Sequence, residues 1–296
     1  MPYVTTRDEV RLYYEQVGSG VPLIFVHEFT GDHHSWEPQM RFFGRRYRCI
    51  AFNARGYPPS DVPRARSKYS QAIVADDIAD LIRHMGLSRT HLVGSAMGSN
   101  TVIAFGSRHP RMGRSLTAIN AGTGSDPDPH KRSQFMRDIK TQLKRFETLN
   151  MTEAIRDHRV GPSRVQFKNK DPRGFAEFGR HAAALSTLGA ANTYSAVLGK
   201  RPSIYALEKQ LRQLRTPLLL VNGDEDDKCL EPGLFIKRVC AAAALAVVPW
   251  SGHLINLEEP DVFNRLLLDF LTLVDSRRWR PRDPRSKGLS ILSNKG

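Results

Sequence analysis

Short runs of wholly apolar residues alternate along this chain with amphipathic stretches of helical period, and that alternation leaves few architectures open. Pro22–Val26, Tyr47–Phe52, His91–Val93, Leu116–Asn120, Pro217–Val221 and Leu245–Val248 each have the length and composition of a strand buried on both faces. Between them, Ser70 to Met85 places Ile73, Ile78, Leu81 and Ile82 at helical spacing, with Ser70 as N-cap and Gly86 as the stop. Met97 to Arg108 is a second helical stretch, ended by Pro110, and Asp261 to Val274 is a third. Val10 to Val17, followed by the turn Gly18-Ser19-Gly20, reads as one more strand. Buried strands alternating with helices predict an α/β fold built on a mostly parallel, doubly wound sheet.

The alternation lapses once. Roughly ninety residues separate Asn120 from Pro217, far more than the few that join a helix to a strand. Phe135–Leu149, Met151–Arg159 and Phe175–Leu188 have helical spacing within that gap, with Gly161-Pro162 and Asp171-Pro172 as breaks. The expected organisation is therefore a core of residues 1–123 and 204–275, a helical cap inserted over 124–203, and a tail of 276–296, with a helix from Ser203 to Leu214 leading back into the core.

Charge follows the same division. Of a formal net charge of +14, the segment 121–203 carries +7 and the tail 276–296 carries +6, so the core is almost neutral. No stripe of basic residues runs along the core, and no nucleic-acid-binding pattern appears, so nucleic acid is not an expected partner. The tail, rich in Arg and Pro with little to bury, reads as a solvated arm. The longest apolar run, Ala241 to Trp250, is too short to span a membrane, and Met1 to Arg11 lacks the apolar stretch of a signal peptide, which gives a cytoplasmic expectation. Three cysteines (Cys49, Cys229, Cys240), without metal-ligand spacing, read as buried thiols, and no metal site is expected. His33 and His34 read as surface or pocket-rim residues rather than ligands.

The junction Gly94-Ser95-Ala96-Met97-Gly98 carries the strongest chemical signal. Glycine two before and two after a central residue is what a sharp strand-to-helix turn requires, because a side chain at either place would strike the adjoining strand or helix. Further motifs follow in order along residues 1–275: His27 before Phe29-Thr30-Gly31; Asn53-Ala54-Arg55-Gly56 with Tyr57-Pro58-Pro59-Ser60; Gly223-Asp224-Glu225-Asp226; and Gly252-His253 ahead of Glu258-Glu259-Pro260. In these motifs the chain resembles the α/β-hydrolase superfamily, and specifically its capped esterase-like branch.

That resemblance implies Asp226 as the acid and His253 as the base of a nucleophile–acid–histidine triad, with Asp224 and Asp227 as weaker rivals for the acid. It implies the backbone N–H groups of Phe29 and Met97 as the oxyanion donors. It places the nucleophile at residue 96, where this chain has alanine; neither Ser95 nor Ser99 occupies the apex. Alanine has no nucleophilic atom, so the site reads either as a serine enzyme inactivated at that position or as a binding protein that kept the scaffold. Retention of Asp226, His253 and the oxyanion positions favours the first. Met97 favours serine over the aspartate nucleophile of dehalogenases and epoxide hydrolases, since Ser-Met-Gly is common in esterases.

The expected reaction is hydrolysis of a carboxylic ester through an acyl-enzyme, without a cofactor; amide, lactone or carbon–carbon cleavage are alternatives on the same fold. The glycine-rich loop typical of carbon–carbon hydrolases is missing after His27. Glu28 stands where the family has glycine and is expected to pair with an arginine or to position substrate. The basic cap suggests an anionic ester, with Arg159, Arg180 and His181 as its candidate partners.

Overall fold

A computed structural model describes residues 2–287. Eight strands form one sheet: β1 (Tyr3–Thr5), β2 (Arg11–Val17), β3 (Pro22–Val26), β4 (Arg48–Phe52), β5 (Thr90–Ser95), β6 (Gly113–Ile119), β7 (Leu218–Gly223) and β8 (Ala243–Val248). Their spatial order is β1-β2-β4-β3-β5-β6-β7-β8. From β4 to β8 every pairing is parallel, while β1 and β2 run antiparallel at one edge. Register follows the apolar runs, with Ile24 opposite Ile50 on one side and Leu92 on the other.

Successive residues of each central strand feed opposite cores, as the two-residue period of a strand dictates. Leu23 and Phe25 pack with Trp36, Phe43, Phe263 and Leu267, beneath α1 (Glu37–Phe43) and α13 (Pro260–Asp275). Ile24 and Leu92 face the other way, with Ile78 and Leu81 of α2 (Gln71–His84) and Val102 of α3 (Met97–Arg108). Helices thus cover both faces, and the cysteines are free and buried. The Ser70 hydroxyl accepts the Ile73 N–H at 3.1 Å, the cap expected there.

Between β6 and β7 the chain is helical, in more pieces than its periodicity suggested. The first helix, α4 (Pro129–Thr148), starts earlier than Phe135 because Asp128 caps it, accepting the His130 N–H at 2.8 Å, with proline in the first turn. Two single-turn helices follow, α5 (Met151–Ala154) and α6 (Arg156–Arg159), then α7 (Val165–Lys170). Phe175–Leu188 is not one helix: α8 (Pro172–Ala183) ends, and Ser186 caps a new helix, α9 (Thr187–Thr193), through the Gly189 N–H. A wider turn over Tyr194–Leu198 completes the segment. On the way back, the stretch expected as a helix from Ser203 is a 3₁₀ turn at Tyr205–Leu207 and then α10 (Glu208–Gln213). The remaining helices are α11 (Asp227–Val239) and α12 (Ile255–Glu258).

The beginning of the tail is attached rather than free. Trp279 packs edge-on against Phe270 of α13 at 4.8 Å between centroids, and the Arg282 N–H donates to the Ala241 carbonyl at 2.8 Å. The rest of the expected solvated arm, residues 288–296, lies outside the described residues. Among the described residues no helix is long and apolar enough to cross a membrane.

Candidate active site

All the sequence motifs arrive at the carboxyl ends of the parallel strands, where open α/β sheets place their ligand crevices. The chain leaves β5 and turns into α3 through Ala96, which sits at φ 50°, ψ −101°. Such a backbone is unfavourable for a residue with a Cβ, by about 1–3 kcal/mol, and persists only where the surroundings enforce it. Here they do: the Ala96 N–H donates to Ile119 on β6 at 2.9 Å, and the Asn100 amide donates to the Ala96 carbonyl at 2.9 Å. A Cβ at Gly94 would strike the Gly98 carbonyl, and one at Gly98 would strike the Val26 carbonyl. The two neighbouring serines point elsewhere, Ser99 donating to the Ala96 carbonyl at 2.5 Å and Ser95 buried without a partner.

Asp226 and His253 meet although 27 positions separate them. Asp226 follows β7, His253 follows β8, and the Asp226 Oδ2 lies 2.5 Å from the His253 Nδ1. Burial pushes the Asp226 carboxyl upward, but the histidine opposite it outweighs that and holds it below its ordinary value. The rival acids are engaged otherwise: Asp224 accepts the Ser251 N–H at 3.0 Å, and Asp227 is exposed in the first turn of α11. The His253 loop is held from two sides that sequence reading did not identify. Glu258 accepts the N–H groups of Gly252 at 2.6 Å and Leu254 at 2.8 Å. The Asn120 amide donates to the carbonyls of Gly252 and His253, both at 2.9 Å, and its oxygen accepts the Gly223 N–H.

The loop after β3 is fixed just as tightly. The His27 Nε2 accepts the Ala54 N–H at 3.1 Å, so its other nitrogen carries the proton and donates to the Glu28 carbonyl at 2.7 Å. The Tyr57 hydroxyl donates to the Phe29 carbonyl at 2.8 Å. Among the described residues, neither the Phe29 N–H nor the Met97 N–H donates to another protein group; the second is the first N–H of a helix, which has no acceptor within that helix.

Glu28 is paired. The Arg164 Nη2 lies 3.0 Å from one carboxylate oxygen, and the Thr30 hydroxyl donates to the other at 2.5 Å. Burial raises the Glu28 carboxyl, yet Arg164 and Thr30 bring it down to about 2, so its charge is compensated. Ala96, Met97, Phe29, Glu28, Asp226 and His253 all line one cavity of about 430 Å³, roofed by residues of the helical segment that include Gln142, His158, Arg164, Tyr194 and Arg201.

Three residues expected to meet the ligand do not line this cavity. Arg159 lays its guanidinium over the Phe175 ring at 5.6 Å, Arg180 is exposed on α8, and the His181 ring lies against that of His34 at 4.0 Å between centroids, tilted by 34°. The basic groups that do line the cavity are Arg145, Arg164, Arg201 and Lys228. An amphipathic helix discloses which residues are polar but not which loop they will face, so charge alone did not tell which basic residues line this cavity. Two clusters bring three potential metal-binding atoms within 4.8 Å of one another: Asp226, Cys229 and His253, and separately Asp32, His34 and His181. Asp32 already accepts the N–H of His34 and contacts its ring nitrogen at 3.0 Å, so His34 has a structural partner without an ion.

Residues 21–260 match the family model described as alpha/beta hydrolase fold. The chain belongs to that family. Across the alpha/beta hydrolases it is 24% identical over 277 residues to a putative 2-succinyl-6-hydroxy-2,4-cyclohexadiene-1-carboxylate synthase of Bacillus subtilis (strain 168), covering 92% of this chain and 98% of that one. It is 25% identical over 291 residues to epoxide hydrolase 3 of Xenopus tropicalis, covering 91% and 77%. Among solved structures, a thermophilic esterase from Thermogutta terrifontis superposes with a TM-score of 0.75 at 22% identity, over 92% of this chain and 98% of that one. A carboxylesterase structure from Nitrososphaera gargenis reaches a TM-score of 0.82 at 19% identity, over 93% and 100%. At these identities the structures establish the hydrolase fold.

Proposed function

We propose that this cavity is the site of a carboxylic-ester hydrolase of the Ser-His-Asp type in which alanine fills the nucleophile position, with residues 124–203 acting as its cap. The supporting observation is the 2.5 Å contact between Asp226 and His253 in the same cavity as the strained apex at Ala96. With a serine at 96, the His253 imidazole takes the hydroxyl proton while Asp226 fixes its tautomer and stabilises the resulting cation. The Phe29 and Met97 amides receive the oxyanion, the alcohol leaves with the proton from His253, and water then cleaves the acyl group by the same route. No group beyond these side chains and water enters the reaction. With alanine at 96 the first bond cannot form, and the chain holds its ligand without covalent attachment.

The test is Ala96→Ser, assayed on a panel of short- and medium-chain p-nitrophenyl and alkyl esters. Hydrolysis should rise by roughly three or more orders of magnitude, the scale on which triad members act, and His253→Ala in the restored chain should remove most of the gain. Ala96 itself favours a second reading, a ligand-binding protein on a hydrolase scaffold. Silence of the Ala96→Ser chain across the panel, with tight binding of a small molecule to the unaltered chain, decides for that one.

A further inference from the structure

Arg201 is a buried cation without an anion. Its side chain is 8% exposed, lines the same cavity as Ala96 and His253, and forms no ion pair with any Asp or Glu among the described residues. One terminal nitrogen, Nη2, donates to the Thr123 carbonyl at 2.6 Å; the other, Nη1, is buried with no partner. Burial lowers the group to about 10, which leaves it charged at neutral pH. An isolated charge in such a place is costly, and arginine, unlike lysine or histidine, cannot shed it by losing a proton.

The other charges of the cavity are accounted for. Glu28 is held by Arg164 at 3.0 Å and Asp157 by Arg145 at 2.9 Å, while the Asp226 carboxylate is hydrogen-bonded to the His253 ring at 2.5 Å. Lys228 and Asp138 are exposed. Arg201 is thus a buried cation with no carboxylate in contact with it among the described residues, and its partnerless Nη1 calls for a single negative charge on the ligand. Its position is also restricted. The Thr123 hydroxyl lies 3.3 Å from the Cys229 Sγ, which is within 4.8 Å of both the Asp226 carboxylate and the His253 ring.

We propose that the ligand is an ester that carries a second, free carboxylate, such as the half-ester of a short dicarboxylic acid, and that the Nη1 side of Arg201 binds this carboxylate while the ester group lies at Ala96. A phosphate dianion would bring a second charge for which the cavity holds no second buried cation free of a carboxylate, Lys228 being exposed. This inference rests on the hydrolase reading for the placement of the ester but not for the binding of the carboxylate.

The experiment has two arms. By calorimetry, the unaltered chain is titrated with monomethyl succinate and monomethyl glutarate and with their dimethyl diesters; the half-esters should bind at least about ten-fold more tightly, as a buried charge-assisted contact implies. Arg201→Gln should bring half-ester and diester within about two-fold of each other, and Arg201→Lys should restore part of the difference. The Ala96→Ser chain is then assayed for kcat/KM on the same pairs and should show the same order of preference. Equal binding of half-ester and diester by the unaltered chain, binding of neither, or a preference that survives Arg201→Gln overturns the inference. The first comparison needs no variant at Arg201, so a misfolded variant does not protect the idea. An inert Ala96→Ser chain beside selective half-ester binding removes the hydrolase reading and leaves Arg201 its role; an active one without preference does the reverse.

Discussion

The Arg164 guanidinium and the Glu28 carboxylate meet at 3.0 Å, both almost completely buried, and tie the helical segment to the loop that follows β3. Removing one partner strands the other charge in a dry place, which costs about 3–5 kcal/mol, whereas removing both leaves neither charge to solvate. Arg164→Met should therefore lower stability by that order in urea or thermal unfolding. Arg164→Met with Glu28→Gln should recover much of the loss. Equal losses for the single and double variants would contradict a coupled pair.

Acid should destabilise the fold in two stages. Burial, helped by the neighbouring Arg164, depresses His158 to about 4, below its ordinary value of 6.5, so between those values the unfolded chain binds the extra proton and stability falls as pH drops. Glu28, held at about 2, contributes stability in full above its ordinary 4.5 and loses it as pH falls toward 2. Unfolding midpoints measured from pH 7 to pH 3 check this. His158→Gln should flatten the first stage and leave the second.

Glu258 accepts both amides that flank His253, so it should position the imidazole without touching the ligand. Glu258→Gln leaves one acceptor oxygen for two amides. In the Ala96→Ser chain kcat should fall about ten-fold or more while KM changes little, the expected signature of a displaced base. A change in KM alone would place Glu258 in ligand binding instead.

Ending the chain after Arg278 removes Trp279, which packs against Phe270, together with the Arg282 contact to Ala241. A loss of about 1–3 kcal/mol in unfolding free energy is expected from the lost aromatic burial. Half-ester binding should be preserved, since none of these residues lines the cavity. Weakened binding without lost stability would show that the segment reaches the ligand.

The elbow was legible in the sequence because its constraint is local. Glycines at 94 and 98 are demanded by the carbonyls of Gly98 and Val26, and the apolar strand on one side and the helical period on the other define the turn. The sheet was legible for a similar reason, each central strand being apolar on both faces, although the three-residue β1 was too short to announce itself. Asp226 and His253 were read from their motifs' resemblance to the α/β-hydrolases, and the ends of β7 and β8 bring them together. Arg164, Arg201 and Asn120 gave no comparable signal in their roles, since each acts on a loop distant along the chain, 78 residues away for Arg201 and 136 in the Arg164–Glu28 pair. Sequence alone set the scaffold, through periodicity and backbone sterics that act within a few residues, and its resemblance to the α/β-hydrolases pointed to the acid–histidine pair. Which of fifteen Lys and Arg between 121 and 203 would face the cavity was decided only when the helices packed, because packing chooses one side of each helix and burial then determines which charges must find a partner.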